Sequence, residues 1–535
     1  MNVYATTHGH DPEEGDMGAL INSGTPRVRN DSRTTSGLFW FMEPSEWAVA
    51  VGVGLLVSLL CLPLYNKVSL WVGPALLLTI VAIFHIAYAA RRYVPLASLA
   101  IIVSGIQLVL AAWWSYYHPM LGDLDIGEGI GAYLSYASPA FLAFSAGWFM
   151  ACIGLSGAVN KRAWAVAEMM NPGLRRELDL LIFGALGVML LQRVISFGSF
   201  DFVAVLLMNL RYVGALGWMI LGVKGWRLRV AVVIVLEIIF SVESTMFHSV
   251  VLWMAVLFCV YALRHQLRSK TIALLACAGL IAIVPLEYAK INLRAATWYG
   301  VQTRSRLLDS DVSQMAKPIA FAALFGEFIQ GWFSDEVEEE FFQHMSERYN
   351  QGWIINRVML HVPAVEPFAE GETIITAFSD AFLPRFLVDK KYVAGGKEFM
   401  RRFAGIEIGE VSMNLGYAGE MYANFGSHGG IVGVGIYGLL LGLVFRWICR
   451  RAMSRPLWWA FAAYILVLGI KAEEGIEDVL NWITKAAVIS VAVIYICPAL
   501  RAALSTVRGR KAGQLQRIGD KQFDRESFAA GRRMR

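Results

Sequence analysis

The sequence has little that could hold a metal, a nucleotide or a disulfide framework. Its six cysteines, Cys61, Cys152, Cys259, Cys277, Cys449 and Cys497, lie in or at the ends of apolar runs with no CxxC pair among them. They read as small core residues. There is no HExxH, no Walker loop and no Cys/His metal spacing, and His248 and His361 stand alone. Charge is also scarce. Charged residues make up 17% of the chain against 57% hydrophobic, with a mean hydropathy of +0.52. Those proportions exclude a soluble globular protein. The start of the chain lacks the pattern of a cleaved signal peptide: residues 1–46 are polar and carry Asp11, Glu13, Glu14 and Asp16.

What the chain does have is a series of apolar runs that approach or exceed the ~20 residues a helix needs to cross a bilayer. They predict an all-α polytopic integral membrane protein of about 12 transmembrane helices. The expected spans are Trp47–Leu64, Val68–Ala90, Val94–Tyr116, Gly131–Ala158, Leu178–Ile195, Phe202–Val223, two short spans within Val230–Leu263, Thr271–Leu286, Gly429–Trp447, Leu457–Ile470 and Leu480–Leu500. Val230–Leu263 is too long for one crossing, and Ser241-Val242-Glu243-Ser244 marks its turn. The division is therefore a tail at 1–46, nine spans in 47–287, one large loop at 288–427, three spans in 428–500 and a basic tail at 501–535.

Placing both termini in the cytoplasm puts every strongly basic short loop on one side: Arg91-Arg92, Lys161 to Arg176, Lys224 to Arg229, Arg264 to Lys270 and Arg450 to Arg455. The large loop and the acidic turn Glu473-Glu474-Gly475-Ile476-Glu477-Asp478 then fall outside. A structureless linker as long as 288–427 is unusual, so short helices are expected in it, with Pro318–Phe333 apolar enough to lie along the membrane surface.

Several charges sit at membrane depth, where a charge costs about 3 kcal/mol at a helix centre and faces a cavity or a partner. Arg193 is near enough to its span's end to snorkel. Arg211 lies deeper, and either serves function or pairs with Glu237 on the next helix. Gly433-Val434-Gly435-Ile436-Tyr437-Gly438 matches GxGxxG, but inside an apolar span. The spacings Gly429/Gly433 and Gly438/Gly442 suit close helix packing rather than a dinucleotide. Asp309-Ser310-Asp311 and Asp123-Leu124-Asp125 resemble the metal-binding DxD of sugar-nucleotide transferases, and solvated or helix-capping carboxylates explain them as well.

The large loop holds 13 Lys and Arg against 18 Asp and Glu, so it is no general polyanion patch. Its basic residues cluster at Lys290 and Arg294, where it leaves the membrane, and around Pro384-Arg385 with Lys390 and Lys391. Arginine matches a diphosphate bidentately, so these groups are candidates to hold a lipid diphosphate. The aromatics Trp298, Tyr299, Trp332, Trp353 and Tyr422 suit sugar faces or an interfacial belt.

Over about Leu178–Leu500 the chain resembles the Wzy-type oligosaccharide repeat-unit polymerases of O-antigen and exopolysaccharide synthesis. The resemblance rests on Asn209-Leu210-Arg211-Tyr212, Lys290-Ile291-Asn292-Leu293-Arg294 and Gly371-Glu372-Thr373. It rests most on Pro384-Arg385 followed by Lys390, and on Gly419-Glu420 through Asn424-Phe425-Gly426 leading into a glycine-rich span. It implies a GT-C-like architecture in a bacterial inner membrane and a glycosyltransferase that needs no metal, nucleotide or other cofactor. The implied substrate is an undecaprenyl-diphosphate-linked oligosaccharide. Membrane lipids and a chain-length regulator are further implied partners; nucleic acid is not. The growing glycan would pass from undecaprenyl diphosphate to the end sugar of a new repeat. That chemistry needs cations for the leaving diphosphate and a base for the attacking hydroxyl. Arg211, Arg294 and Arg385, then Lys290 and Lys390, are the diphosphate candidates. Glu420 and Asp380, then Glu410 and His361, are the base candidates, although Glu420 can equally be a helix cap beside the tenth span. An O-antigen ligase shares this pattern, and a flippase for the same lipid-linked sugars is the rival from another class.

Overall fold

The computed structural model describes residues 44–62, 68–117, 129–153, 155, 172–244, 247–294, 317–331, 349–382, 396–409 and 412–505. The chain divides into residues 1–37, outside the described part, and residues 38–535. No strand occurs among the described residues. The first six helices are α1 (Pro44–Leu60), α2 (Val72–Ala89), α3 (Leu96–Gly105), α4 (Ala111–Tyr117), α5 (Ile130–Cys152) and α6 (Pro172–Gln192). There follow α7 (Asp201–Leu221), α8 (Trp226–Ser244), α9 (His248–His265), α10 (Ser269–Arg294) and α11 (Lys317–Gly331). The series ends with α12 (Gly352–His361), α13 (Glu372–Phe382), α14 (Lys397–Phe399), α15 (Gly416–Ser454), α16 (Trp458–Leu466), α17 (Ile476–Ile496) and α18 (Pro498–Leu504). A π-turn at Ile106–Leu110 joins α3 to α4.

Among the described residues seven helices are long and apolar enough to cross a membrane: α2, α3 with α4, α7, α9, α10, α15 and α17. The apolar runs predict these well. The long apolar stretch does hold two helices, but Ser241–Ser244, expected to turn, forms the end of α8, and α9 begins at His248. Two boundaries shift. Helix α10 runs on to Arg294, so Glu287, Lys290 and Arg294 sit on its last turns rather than in a loop. Helix α15 starts at Gly416, well before the apolar run at Gly429, and so takes in Glu420 and Asn424.

Apolar side chains fill the interior and also face outward, as Val432, Ile436, Leu440, Val488, Val491 and Ile496 do, while a few small polar residues such as Ser104, Ser138 and Ser145 are buried among the helices. The most extensive contact is between α5 and α15. There the backbones almost touch. A Cβ on Gly147 would lie 2.1 Å from the Gly435 carbonyl oxygen, and one on Gly438 would lie 2.2 Å from that of Phe144. Gly442 meets Ala151 and Trp148 in the same seam, whereas Gly429 and Gly433 lie against Phe425 and Met421 of their own helix. The glycine pattern thus serves helix packing, partly between and partly within helices. Tyr136 Oη bridges the same pair by donating to Ala418 O at 2.6 Å.

Helix α15 changes direction at Gly426, whose φ of 66° and ψ of −165° are non-helical. An L side chain there would be strained and would crowd Phe368 at 3.1 Å. The kink separates a membrane-length arm from the short arm Gly416–Phe425, which carries the polar residues described next.

Candidate functional site

Helices α12 and α13 of the large polar segment pack against α15, where Ile355 of α12 lies against Gly419 of the short arm, and α13 packs on α17 as well. Glu420 is the hub of this junction and is buried. Its Oε1 accepts a hydrogen bond from Thr373 Oγ1 on α13 at 2.9 Å, and its Oε2 accepts one from the Ile476 amide at 2.8 Å. Ile476 is the first residue of α17, so Glu420 satisfies an amide that has no partner within that helix, at the end where the helix dipole favours negative charge. The helix it caps is therefore the last long one, not the one beside which the sequence places it. Asn424, one turn further on, donates to Thr373 Oγ1 at 2.7 Å and to Glu420 O at 2.8 Å. Its Oδ1 accepts from the Gly371 amide at 3.0 Å. Backbone bonds from Ala369 to Ala423 and from Glu370 to Asn424 complete the seam.

Asp380, also buried, lies against the buried Glu477 of α17, so two carboxyl groups meet where α13 packs on α17. Asp478 lies beside it and accepts from Asn414 Nδ2 at 3.1 Å. Lys471 Nζ donates to Glu474 at 2.6 Å, and Gln107 links Glu473 and the Ala472 amide to the π-turn between α3 and α4. Among the described residues no group of His, Cys, Asp and Glu is arranged to hold a metal ion. On the outer flank Arg402 donates to Glu366 at 2.6 Å and to both Glu372 oxygens at 3.0 and 2.9 Å. These bonds hold the Glu372 carboxyl below its ordinary value and Arg402 above its own.

The expected cations are placed differently. The Arg211 guanidinium is buried and donates to Met208 O at 2.6 Å, to Tyr212 Oη at 3.4 Å and to Glu237. The ion-pair alternative for Arg211 is thus the geometry present. Arg193 likewise pairs with Glu243 rather than only snorkelling. Lys290 is buried, with Nζ 2.9 Å from both oxygens of Glu287, and Tyr349 Oη donates to the same carboxylate at 3.2 Å. Arg294 ends α10. His361 lies at the end of α12 against Gly405. Arg385, Lys390 and Glu410 lie outside the described residues. The structure therefore brings Glu420 and Asp380 into one junction through α13 and α17, and the described contacts leave Arg211 and Lys290 with glutamate partners of their own.

Sequence reasoning missed Glu477 and Asp478 as members of this site. The available signal was local: two acidic residues follow Gly475 at the start of an apolar run, a pattern of a helix first turn. Their partner Asp380 is distant in sequence, and only the fold joins them.

Comparison with known protein families, curated proteins and solved structures finds no match to this chain. Fold and site define a class: an all-helical, multi-pass membrane protein with a buried, hydrogen-bonded carboxyl junction where a polar segment meets the end of its helix bundle.

Proposed function

We propose that the protein lengthens a lipid-linked glycan, transferring the growing chain from a polyprenyl diphosphate to the terminal hydroxyl of a new lipid-linked repeat. In this reading the chain crosses a bacterial cytoplasmic membrane about twelve times, with the polar segment outside. The observation that carries the proposal is the buried carboxyl junction of Asp380, Glu477 and Glu420, roofed by the segment and seated at the membrane end of α17.

The hydroxyl oxygen of the acceptor sugar attacks the donor's anomeric carbon, and the bond from that carbon to the diphosphate oxygen breaks. The hydroxyl proton passes to Asp380 as the base, and the diphosphate leaves on its lipid. Glu420, with both oxygens engaged, holds α13 on α17 and so fixes Asp380 in register. Cations stabilise the charge on the leaving diphosphate. Arg294, Arg385 and Lys390 are assigned that role. Arg211 is assigned to holding α7 to α8 and Lys290 to an ion pair within α10, because each is neutralised by a glutamate.

The test is deletion of the gene followed by separation of surface glycans by length. Loss of the long chains with single repeats retained is expected. Long chains that form but fail to reach their final acceptor would instead indicate a ligase. Lipid-linked repeats that accumulate on the cytoplasmic face would indicate a transporter.

A further inference from the structure

Helix α13 is amphipathic in the reverse of the usual sense. Its buried face carries Thr373 and Asp380 with the small residues Ala377 and Ala381. Its outward face carries Ile375, Phe378 and Phe382, exposed by 71%, 40% and 64%. A helix on a water-facing domain buries its apolar stripe and exposes its polar one. Here the large apolar side chains are turned outward and the carboxylate inward, which is the polarity of the spanning helices of this same chain.

The level of α13 in the bundle agrees with its polarity. Its neighbour α17 has 21 residues and is about 31 Å long at 1.5 Å per residue, matching a hydrocarbon core of about 30 Å. Through Glu420, Thr373 is tied to Ile476, and Asp380 lies against Glu477 in the packed face of α13 on α17. Helix α13 therefore lies beside the first turn of α17, at the edge of the hydrocarbon. Phe425, at the kink of α15, is also outward-facing and lies against Gly371 at the start of α13. The one charge on the outward face, Glu372, stands at the helix start and is paired with Arg402.

We infer that α13 is an interfacial helix whose Ile375–Phe378–Phe382 face is embedded in the lipid acyl chains of the leaflet at this end of the bundle. Binding of this kind scales with the apolar area immersed and places a helix at the headgroup–acyl boundary. Its consequence is that lipid lies one helix thickness, about 10 Å, from the Asp380–Glu477 pair. A lipid-borne headgroup then reaches the carboxyls sideways from the bilayer rather than from bulk water. The inference rests on the membrane architecture and stands whether or not the glycan reading does.

The experiment uses the full chain with its six cysteines replaced, carrying Ile375→Cys, Phe378→Cys or Phe382→Cys. Each variant is spin-labelled and reconstituted in phosphatidylcholine–phosphatidylglycerol vesicles. Relaxation by oxygen, which concentrates in acyl chains, is compared with relaxation by a water-soluble nickel chelate. All three positions are expected to be accessible to oxygen and shielded from nickel. Access to nickel at all three would overturn the inference in favour of a water-facing helix. Exclusion of both reagents would overturn it in favour of protein cover, such as a second copy. A photoreactive diazirine side chain at position 378 supplies an independent reading in otherwise unaltered protein. Lipid adducts are expected, and adducts confined to protein would contradict the inference.

Discussion

Replacing Glu420 by alanine tests the hub of the junction. The carboxylate accepts two hydrogen bonds, from Thr373 at 2.9 Å and from the Ile476 amide at 2.8 Å. Hydrogen bonds to a charged group are worth about 1.5–3 kcal/mol, and a buried donor left without an acceptor bears the full desolvation penalty. Loss of the acceptor at the first turn of α17 should lower the local opening free energy there by that amount. At 1.36 kcal/mol per tenfold, amide hydrogen exchange over residues 476–481 should rise by about 10- to 150-fold. Exchange over residues 372–377 should rise with it, since the Thr373 bond is lost in the same substitution. The long arm of α15, held by the α5 seam, should be unaffected. Glu420→Gln keeps one amide oxygen as acceptor and should fall between alanine and wild type. The assay is exchange mass spectrometry in detergent or nanodiscs. Unchanged exchange in both segments would refute the hub, and an equal rise throughout the protein would show a general loss of fold instead.

Three other outcomes follow from the same structure. Arg211→Leu alone should destabilise the fold by about 3–5 kcal/mol by leaving a buried Glu237 unpaired, and adding Glu237→Leu should restore most of it; unfolding temperature and folded yield measure both, and no recovery in the double variant counts against the ion pair. Gly147→Ala and Gly438→Ala should each cost about 1–3 kcal/mol or more through backbone overlap in the α5–α15 seam. Gly184→Ala, where nothing lies within 4 Å of the added methyl, should be neutral or slightly stabilising in the same measurement. The Glu372–Arg402 pair should contribute stability that is full above the ordinary carboxyl value of 4.5 and is lost as pH falls through the lowered Glu372 value. The Glu372 side chain is 59% exposed, so the effect should be under about 1 kcal/mol and weaken with salt, as exchange at the start of α13 against pH would record.

The sequence reveals the spanning helices because a bilayer demands long apolar runs, which stand out against the polar tails and the polar segment. Even the division of Val230–Leu263 between two helices is legible, since a run of that length cannot cross once. The start of α15 is not legible, because Gly416–Phe425 is too polar to count as part of a span and its helix is held by Thr373, Ile476 and Tyr136 from elsewhere in the chain. For the site, Glu420 and Asp380 can be picked out as carboxylates in the right segment. Their joining through Glu477 and the α17 terminus depends on contacts between distant parts of the chain. The cations are less legible. Charge can be read from a sequence, but neutralisation depends on partners. Lys290 and Glu287 are three residues apart and pair by helical spacing, but the apolar run ends at Leu286 and so hides the helix that carries them to Arg294.

The most direct test of the proposed function is chain extension by purified protein in vesicles supplied with polyprenyl-diphosphate-linked repeat units. The account predicts a ladder of products from wild type. It predicts only single repeats from Asp380→Asn, with the fold retained and lipid-linked substrate still bound. Wild-type protein that yields no ladder from competent substrate, or Asp380→Asn that yields the full ladder, would contradict it.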